Sequence, residues 1–273
     1  MRILRGPLIY LSAVVAVVVF AGPFLFMVLS SFKQPQELNG VINDFLPQSF
    51  YTGNYGNLFS SGNFPTYFVN SVVVALLTTL LALFVAILAG YALARWSFTG
   101  HRLLLLAVVA MQMFPAVLMA IPLYKILRGL GMLDARSGLI LVYVTFALPF
   151  CVWMMRNYFS TVPRELEEAA LIDGCGHFSA LWRVLLPPAL PGVIAAGAFS
   201  IILVWDEFLY ANTFINSDER RTLSVGLDSL IGEYTTDWGQ LLAGGVLMTL
   251  PVVLIFTFLQ RYLTQIAGGG VKG

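Results

Sequence analysis

Apolar residues run along this chain in long blocks that charged side chains bound but do not enter. Residues 6–32, 103–124, 137–155, 184–205 and 238–260 carry no Asp, Glu, Lys or Arg, and the uncharged tract before Arg95 turns densely apolar from Phe68. A bilayer core needs about 20 apolar residues in helical form, so each block is long enough to span. The pattern predicts an all-α membrane protein with six transmembrane helices, over about 8–31, 67–94, 103–124, 137–158, 188–214 and 240–263, forming one transmembrane domain over 1–273. The apolar run after Arg5 is too long for a signal peptide and reads as a retained first helix.

Composition sharpens this reading. The chain is 59% hydrophobic and 11% charged, against roughly 25% charged in an average soluble domain, so lipid is its main solvent. A net charge of +1, with the basic residues spread thinly, excludes a nucleic-acid partner. Cys151 and Cys175 show no zinc-like spacing and read as structural. No metal site is expected.

Cytoplasmic loops retain Lys and Arg, which sets orientation. With the N-terminus inside, that face holds Arg2, Arg5, Arg95, Arg102, Arg156, Arg164, Arg183, Arg261 and Lys272, nine of the 15 basic residues. Both termini are therefore expected in the cytoplasm, and the large inner loop is then the one at about 160–187.

The chemistry of that loop predicts two short helices joined by a sharp turn. Pro163 suits a first helical position, and Glu165, Glu167 and Glu168 follow where negative charge offsets the positive end of the helix dipole. Leu166, Ala169, Ala170 and Asp173 fall at spacings of three and four on one face, and Gly174 can take the left-handed conformation that stops a helix. After Gly176, Phe178, Leu181, Trp182 and Leu185 resume helical spacing until Pro187 and Pro188. The pattern alone also fits an interfacial helix resting in the headgroups.

Glu168-Ala169-Ala170, then Gly174, then Val184 and Leu186-Pro187 at these spacings resembles the loop signature of type I ABC importer permeases, with Val184 where isoleucine is usual. Trp205-Asp206-Glu207-Phe208 and the tail from Ala267 through Gly269, Gly270 and Lys272 resemble the carbohydrate (maltose- and trehalose-type) branch, the mycobacterial trehalose importers among them. Asp206 departs from the asparagine common in that branch.

The resemblance implies a bacterial inner-membrane, multi-pass subunit. Its partners would be a second permease, two copies of an ATP-binding subunit and an extracytoplasmic sugar-binding protein. It further implies that Glu168, Ala169, Ala170, Asp173, Gly174, Leu186 and Pro187 form a cytoplasmic coupling helix and loop between helices 4 and 5. Gly269, Gly270 and Lys272 would lie near the interface between the ATP-binding subunits. The outer loop at about 216–239 would be a finger directed at the sugar-binding protein, although its Asp, Glu and Arg content by itself shows only a solvated segment. This chain lacks the phosphate-loop motif, so it is not the hydrolase, and no cofactor is expected in it; ATP and magnesium belong to the partner subunits.

Polar residues inside spans are costly and mark a candidate translocation path or gate: Gln112, Tyr143, Asp206, Glu207 and Asn212. Asn70 is a further candidate, and for Asn70, Gln112, Tyr143 and Asn212 ordinary interhelical hydrogen bonding is the competing reading. A sugar wants polar groups beside aromatic faces, which Tyr143, Trp205, Phe208 and Tyr210 can supply.

Two other classes compete. Half of a proton-coupled secondary transporter would show matched repeats with broken helices, and none is visible in the sequence. A membrane enzyme would need a catalytic cluster, whereas His101 and His177 are isolated loop residues.

Overall fold

The computed structural model describes residues 5–40, 44–60, 62–232 and 234–269. Among them the architecture is helical, and the strand-like feature is an isolated bridge between Ile231 and Thr236. The chain divides into two compact units, Met1–Pro65 with Gly226–Pro251, and Thr66–Val225 with Val252–Gly273.

The first unit begins with α1 (Arg5–Ser30), followed by the short helices α2 (Pro35–Leu38) and α3 (Gly53–Ser60). The span Ser12–Ser30 has a mean hydropathy of 2.5, and its most apolar 18-residue window holds no buried residue, as a lipid-facing span requires. The turn after α1 is fixed by polar groups closed off from solvent. The buried Lys33 amine donates to the Asp44 carbonyl and stands 5.0 Å from the Phe26 ring centroid. The buried Asn54 amide donates to the Ser31 and Lys33 carbonyls at 2.9 and 2.8 Å.

The second unit holds α4 (Phe64–Arg95) from Thr66 onward, α5 (His101–Met111), α6 (Ala116–Gly129), α7 (Arg136–Thr161), α8 (Arg164–Ile172), α9 (His177–Ala180), α10 (Leu186–Trp205) and α11 (Leu209–Phe214). The chain then passes through α12 (Leu223–Asp228) into α13 (Trp238–Gly269), whose continuous helix runs on from the first unit into the second. Its core is the packing of α4, α7 and α10, where small residues let backbones approach. Ala82, Ala86, Ala189 and Ala196 are fully buried. A Cβ added at Gly90 would stand 2.7 Å from Met155 Cβ and 2.8 Å from the Arg156 nitrogen, so α4 meets α7 backbone against side-chain root. Thr79 of α4 donates to Ser200 of α10 at 3.0 Å.

Among the described residues, five helices are long and apolar enough to cross a membrane, and a sixth segment is a bent pair. That pair corrects the expectation of one straight helix over 103–124. α5 and α6 meet at 100°, because Pro115 has no N–H to donate and disfavours helical backbone at Phe114. The expected span over 188–214 is likewise broken. α10 ends at Trp205, and α11 starts afresh at Leu209.

The loop at 160–187 also differs from its expected shape. His177–Ala180 does not stop at Pro187 and Pro188; it continues through a π-helical turn, Leu181–Leu185, directly into α10, with Leu186 N–H bonded to the Leu181 carbonyl. The wider turn shifts the hydrogen-bond register just where the two prolines withdraw their donors.

Candidate functional site

α8 opens after Pro163, which occupies the N-cap rather than the first helical position, and carries Glu165 and Glu167 in its first turn. It ends in a Schellman motif. Cys175 N–H bonds to the Ala170 carbonyl at 2.9 Å, Gly174 N–H bonds to the Leu171 carbonyl at 3.1 Å, and Gly174 has φ +86°. The left-handed stop expected at Gly174 is the one the backbone adopts. Nothing lies within 4 Å of a Cβ built there, so glycine is required by conformation and not by crowding.

The face expected from Leu166, Ala169, Ala170 and Asp173 is divided. Ala170 and Glu167 turn inward and are buried, whereas Leu166, Ala169, Ile172 and Asp173 are exposed. Ile172 is 85% exposed and Phe178 65%, an apolar outer face with no covering from this chain. Glu168 and Gly174 lie on the exposed side, Leu186 is half-buried and Pro187 exposed.

The inward face carries the residue sequence reasoning passed over. Glu167 Oε2 sits 2.9 Å from Arg95 Nε, with side chains 10% and 5% exposed. Tyr91 donates to Glu167 Oε1 at 2.5 Å, and Arg95 Nη2 donates to the Val162 carbonyl at 3.0 Å. His177 Nδ1 is 3.5 Å from Glu167 Oε1, and Trp96 packs edge-on to both Tyr91 and His177. A buried carboxylate without a cation would be expensive, so the loop is pinned where Arg95 ends α4.

The membrane residues separate into two settings. Glu207 is a capping carboxylate: it accepts the backbone N–H groups of Tyr210 and Ala211 at 2.9 and 3.2 Å and the Tyr143 hydroxyl at 2.5 Å. Those bonds start α11 and account for the break after α10. Asp206 and Asn212 are exposed, as is Gln112.

Three of the four aromatic residues expected beside a sugar, Tyr143, Trp205 and Tyr210, are buried in packing; Phe208 is 38% exposed. A different aromatic surface is open. A cavity of about 500 Å3 at the α5–α6 bend is lined by Gln112, Phe114, Thr145, Phe146, Phe150 and Phe199 among others.

The start of the loop at 216–239 is not the freely solvated segment its charge suggested. Asp134, in left-handed backbone at φ +54°, accepts the N–H groups of Asn216 and Ser217 at 3.0 and 2.8 Å, the Ser217 hydroxyl, and the Arg220 guanidinium at 3.2 Å. The Ser217 hydroxyl is the main cause holding its carboxyl below the usual range, followed by the Ser217 N–H. The buried Asn70 amide donates to the Glu219 and Arg221 carbonyls at 2.9 and 2.8 Å, and Ser71 Oγ accepts Leu223 N–H at 2.7 Å. Of the tail residues, Gly269 closes α13, whereas Gly270 and Lys272 lie outside the described residues. His101, expected in a loop, is half-buried and opens α5, 3.1 Å from the Trp96 carbonyl.

Residues 82–266 match the family described as binding-protein-dependent transport system inner membrane component, and the chain belongs to that family. It is a multi-pass membrane permease of the ABC importer class. It is similar to the sulfoquinovosyl glycerol transport system permease protein SmoH of Agrobacterium fabrum, 36% identical over 98% of this chain and 94% of that one. It is also similar to the trehalose transport system permease protein SugB of Mycobacterium tuberculosis, 32% identical over 84% of each. Its fold matches a chain of a bacterial ABC transporter involved in the import of the acidic polysaccharide alginate, at a TM-score of 0.83 and 22% identity, covering 95% of this chain and 96% of that one.

Proposed function

We propose that the chain is one of two permease subunits of an ATP-driven sugar importer, moving a disaccharide such as trehalose or maltose. The observation that carries the ATP-driven part is the two-sided character of α8. One face is fastened to the second span through Glu167 and Arg95, and the other offers Leu166 and Ile172 to solvent, with Phe178 of α9 exposed beyond the turn. A short helix held rigidly on one side and open on the other suits docking on a partner whose movement it transmits.

In this reading Glu168, Ala169, Asp173 and Gly174 meet the ATP-binding subunit, while Ala170, Leu186 and Pro187 shape the loop behind them. ATP binding, with its magnesium, takes place on that partner and biases a two-state gate in the membrane. Gln112 and the phenylalanines of the cavity contribute to the sugar path, and the exposed Asp206 and Asn212 are further candidates along it. The tail through Gly270 and Lys272 reaches toward the ATP-binding subunits, and both termini are cytoplasmic. A binding protein delivers the sugar from the other side. The support for a sugar cargo is the likeness to permeases named for sulfoquinovosyl glycerol and trehalose transport.

Reconstitution with the partner subunits tests this directly. Uptake of labelled trehalose or maltose should require ATP, stop when hydrolysis is blocked, and survive collapse of a proton gradient. Uptake that follows the proton gradient without ATP would replace this reading with a secondary transporter.

A further inference from the structure

We propose that α4 is a strut that carries motion between the inner loop at α8 and the start of the outer loop, with Arg95 and Glu167 as the joint at one end and Asn70 and Ser71 as the joint at the other. The inference rests on the importer reading for its purpose, though not for its geometry. Covalently, α8 is joined only to α7 and, through α9, to α10. α4 has no direct connection to it, being joined only by way of α5, α6 and α7, yet the Arg95–Glu167 pair, the Tyr91 hydroxyl and the Arg95–Val162 bond tie them together.

An apolar contact can slide, but a buried charge pair cannot separate without leaving both charges unpaired in a poorly solvated site. The joint therefore transmits displacement. Trp96 and Tyr91, edge-on at 4.9 Å, pack beside it.

At the opposite end of the helix, Asn70 holds two carbonyls of the outer loop, those of Glu219 and Arg221 on either side of Arg220. Ser71 holds Leu223, and Tyr67 bonds to Asp218 at 2.7 Å. A helix of 32 residues spans about 48 Å, so one rigid element touches both loops. Its close seat on α7 at Gly90 favours tilting as a body over bending. Arg95, Glu167, Asn70 and Ser71 act as positioning residues.

The test uses the assembled complex in lipid nanodiscs, with E167Q, N70A and the charge exchange R95E/E167R beside the unaltered protein. Amide hydrogen exchange reads the joint without any transport. E167Q should raise exchange across 216–223, at the far end of α4, and the charge exchange should reverse much of that rise. In parallel, the ratio of binding-protein-stimulated to basal ATP hydrolysis should fall about fivefold or more in both E167Q and N70A. A change confined to 160–180, with 216–223 exchanging as in the unaltered protein, would overturn the strut. Raised exchange at 216–223 in a complex that shows no ATP-driven uptake would support the strut and sink the importer reading instead.

Discussion

Arg95 and Glu167 belong to helices far apart in the chain, yet Nε and Oε2 stand 2.9 Å apart and neither side chain is more than a tenth exposed. A pair buried to this degree is costly to break and cheap to replace whole. Glu167→Ala alone, which strands the Arg95 charge, should cost about 3–5 kcal/mol, whereas the double change Arg95→Met with Glu167→Leu should cost far less. Thermal unfolding of the purified permease in detergent, both variants against the unaltered chain, checks the contrast.

Gly174 predicts a purely conformational penalty. Its φ of +86° is open to glycine and, less well, to asparagine, and no neighbour would touch a Cβ. Gly174→Ala should therefore cost about 1–2 kcal/mol, with Gly174→Asn between the two. The same unfolding measurement, joined to uptake per assembled complex, should rank glycine above asparagine above alanine.

Asp134 predicts a pH dependence whose sign follows from its depressed carboxyl. The folded state binds this proton less readily than the unfolded chain does. Its contribution to stability is thus fully present above the ordinary aspartate value of about 4 and is lost as pH falls through the lower folded value. Unfolding temperature measured from neutral pH down to about pH 3 should decline less steeply in Asp134→Asn than in the unaltered protein over that acid range. Near neutrality the two slopes should be the same.

Glu207 should behave as a cap. Removing its side chain leaves the Tyr210 and Ala211 N–H groups and the Tyr143 hydroxyl without their acceptor, so Glu207→Ala should cost about 1–3 kcal/mol. Glu207→Gln, which keeps one acceptor oxygen, should retain most of that stability. A double-mutant cycle with Tyr143→Phe should give a coupling of about 0.5–3 kcal/mol.

Much of this architecture was legible in the spacing of charges, because a lipid solvent leaves few ways to place them. The stop at Gly174 was legible because helix termination is local chemistry. What escaped the sequence depended on long-range pairing or on a local conflict between patterns. Glu167 looked like one more acid in a solvated first turn, since its partner Arg95 is remote in the chain. Counting uncharged residues hid the bend at Pro115, although proline in the middle of a block was a usable signal. The polar residues after Trp205 resembled membrane charges until the helix break gave Glu207 free N–H groups to cap. Asp134 and Asn70 were invisible as loop anchors, because Asn70 bonds to backbone carbonyls and Asp134 to backbone N–H groups and side chains more than 80 residues away, which no sequence pattern marks.

The most direct test of the central claim is photo-crosslinking from the outer face of α8. A photoreactive residue placed at Ile172, with one at Glu219 on the outer loop as control, should give a crosslink to the ATP-binding subunit from Ile172 only, and the yield should change when ATP is added. Labelling of lipid alone from Ile172, with or without ATP, would contradict the account and leave α8 as an interfacial helix.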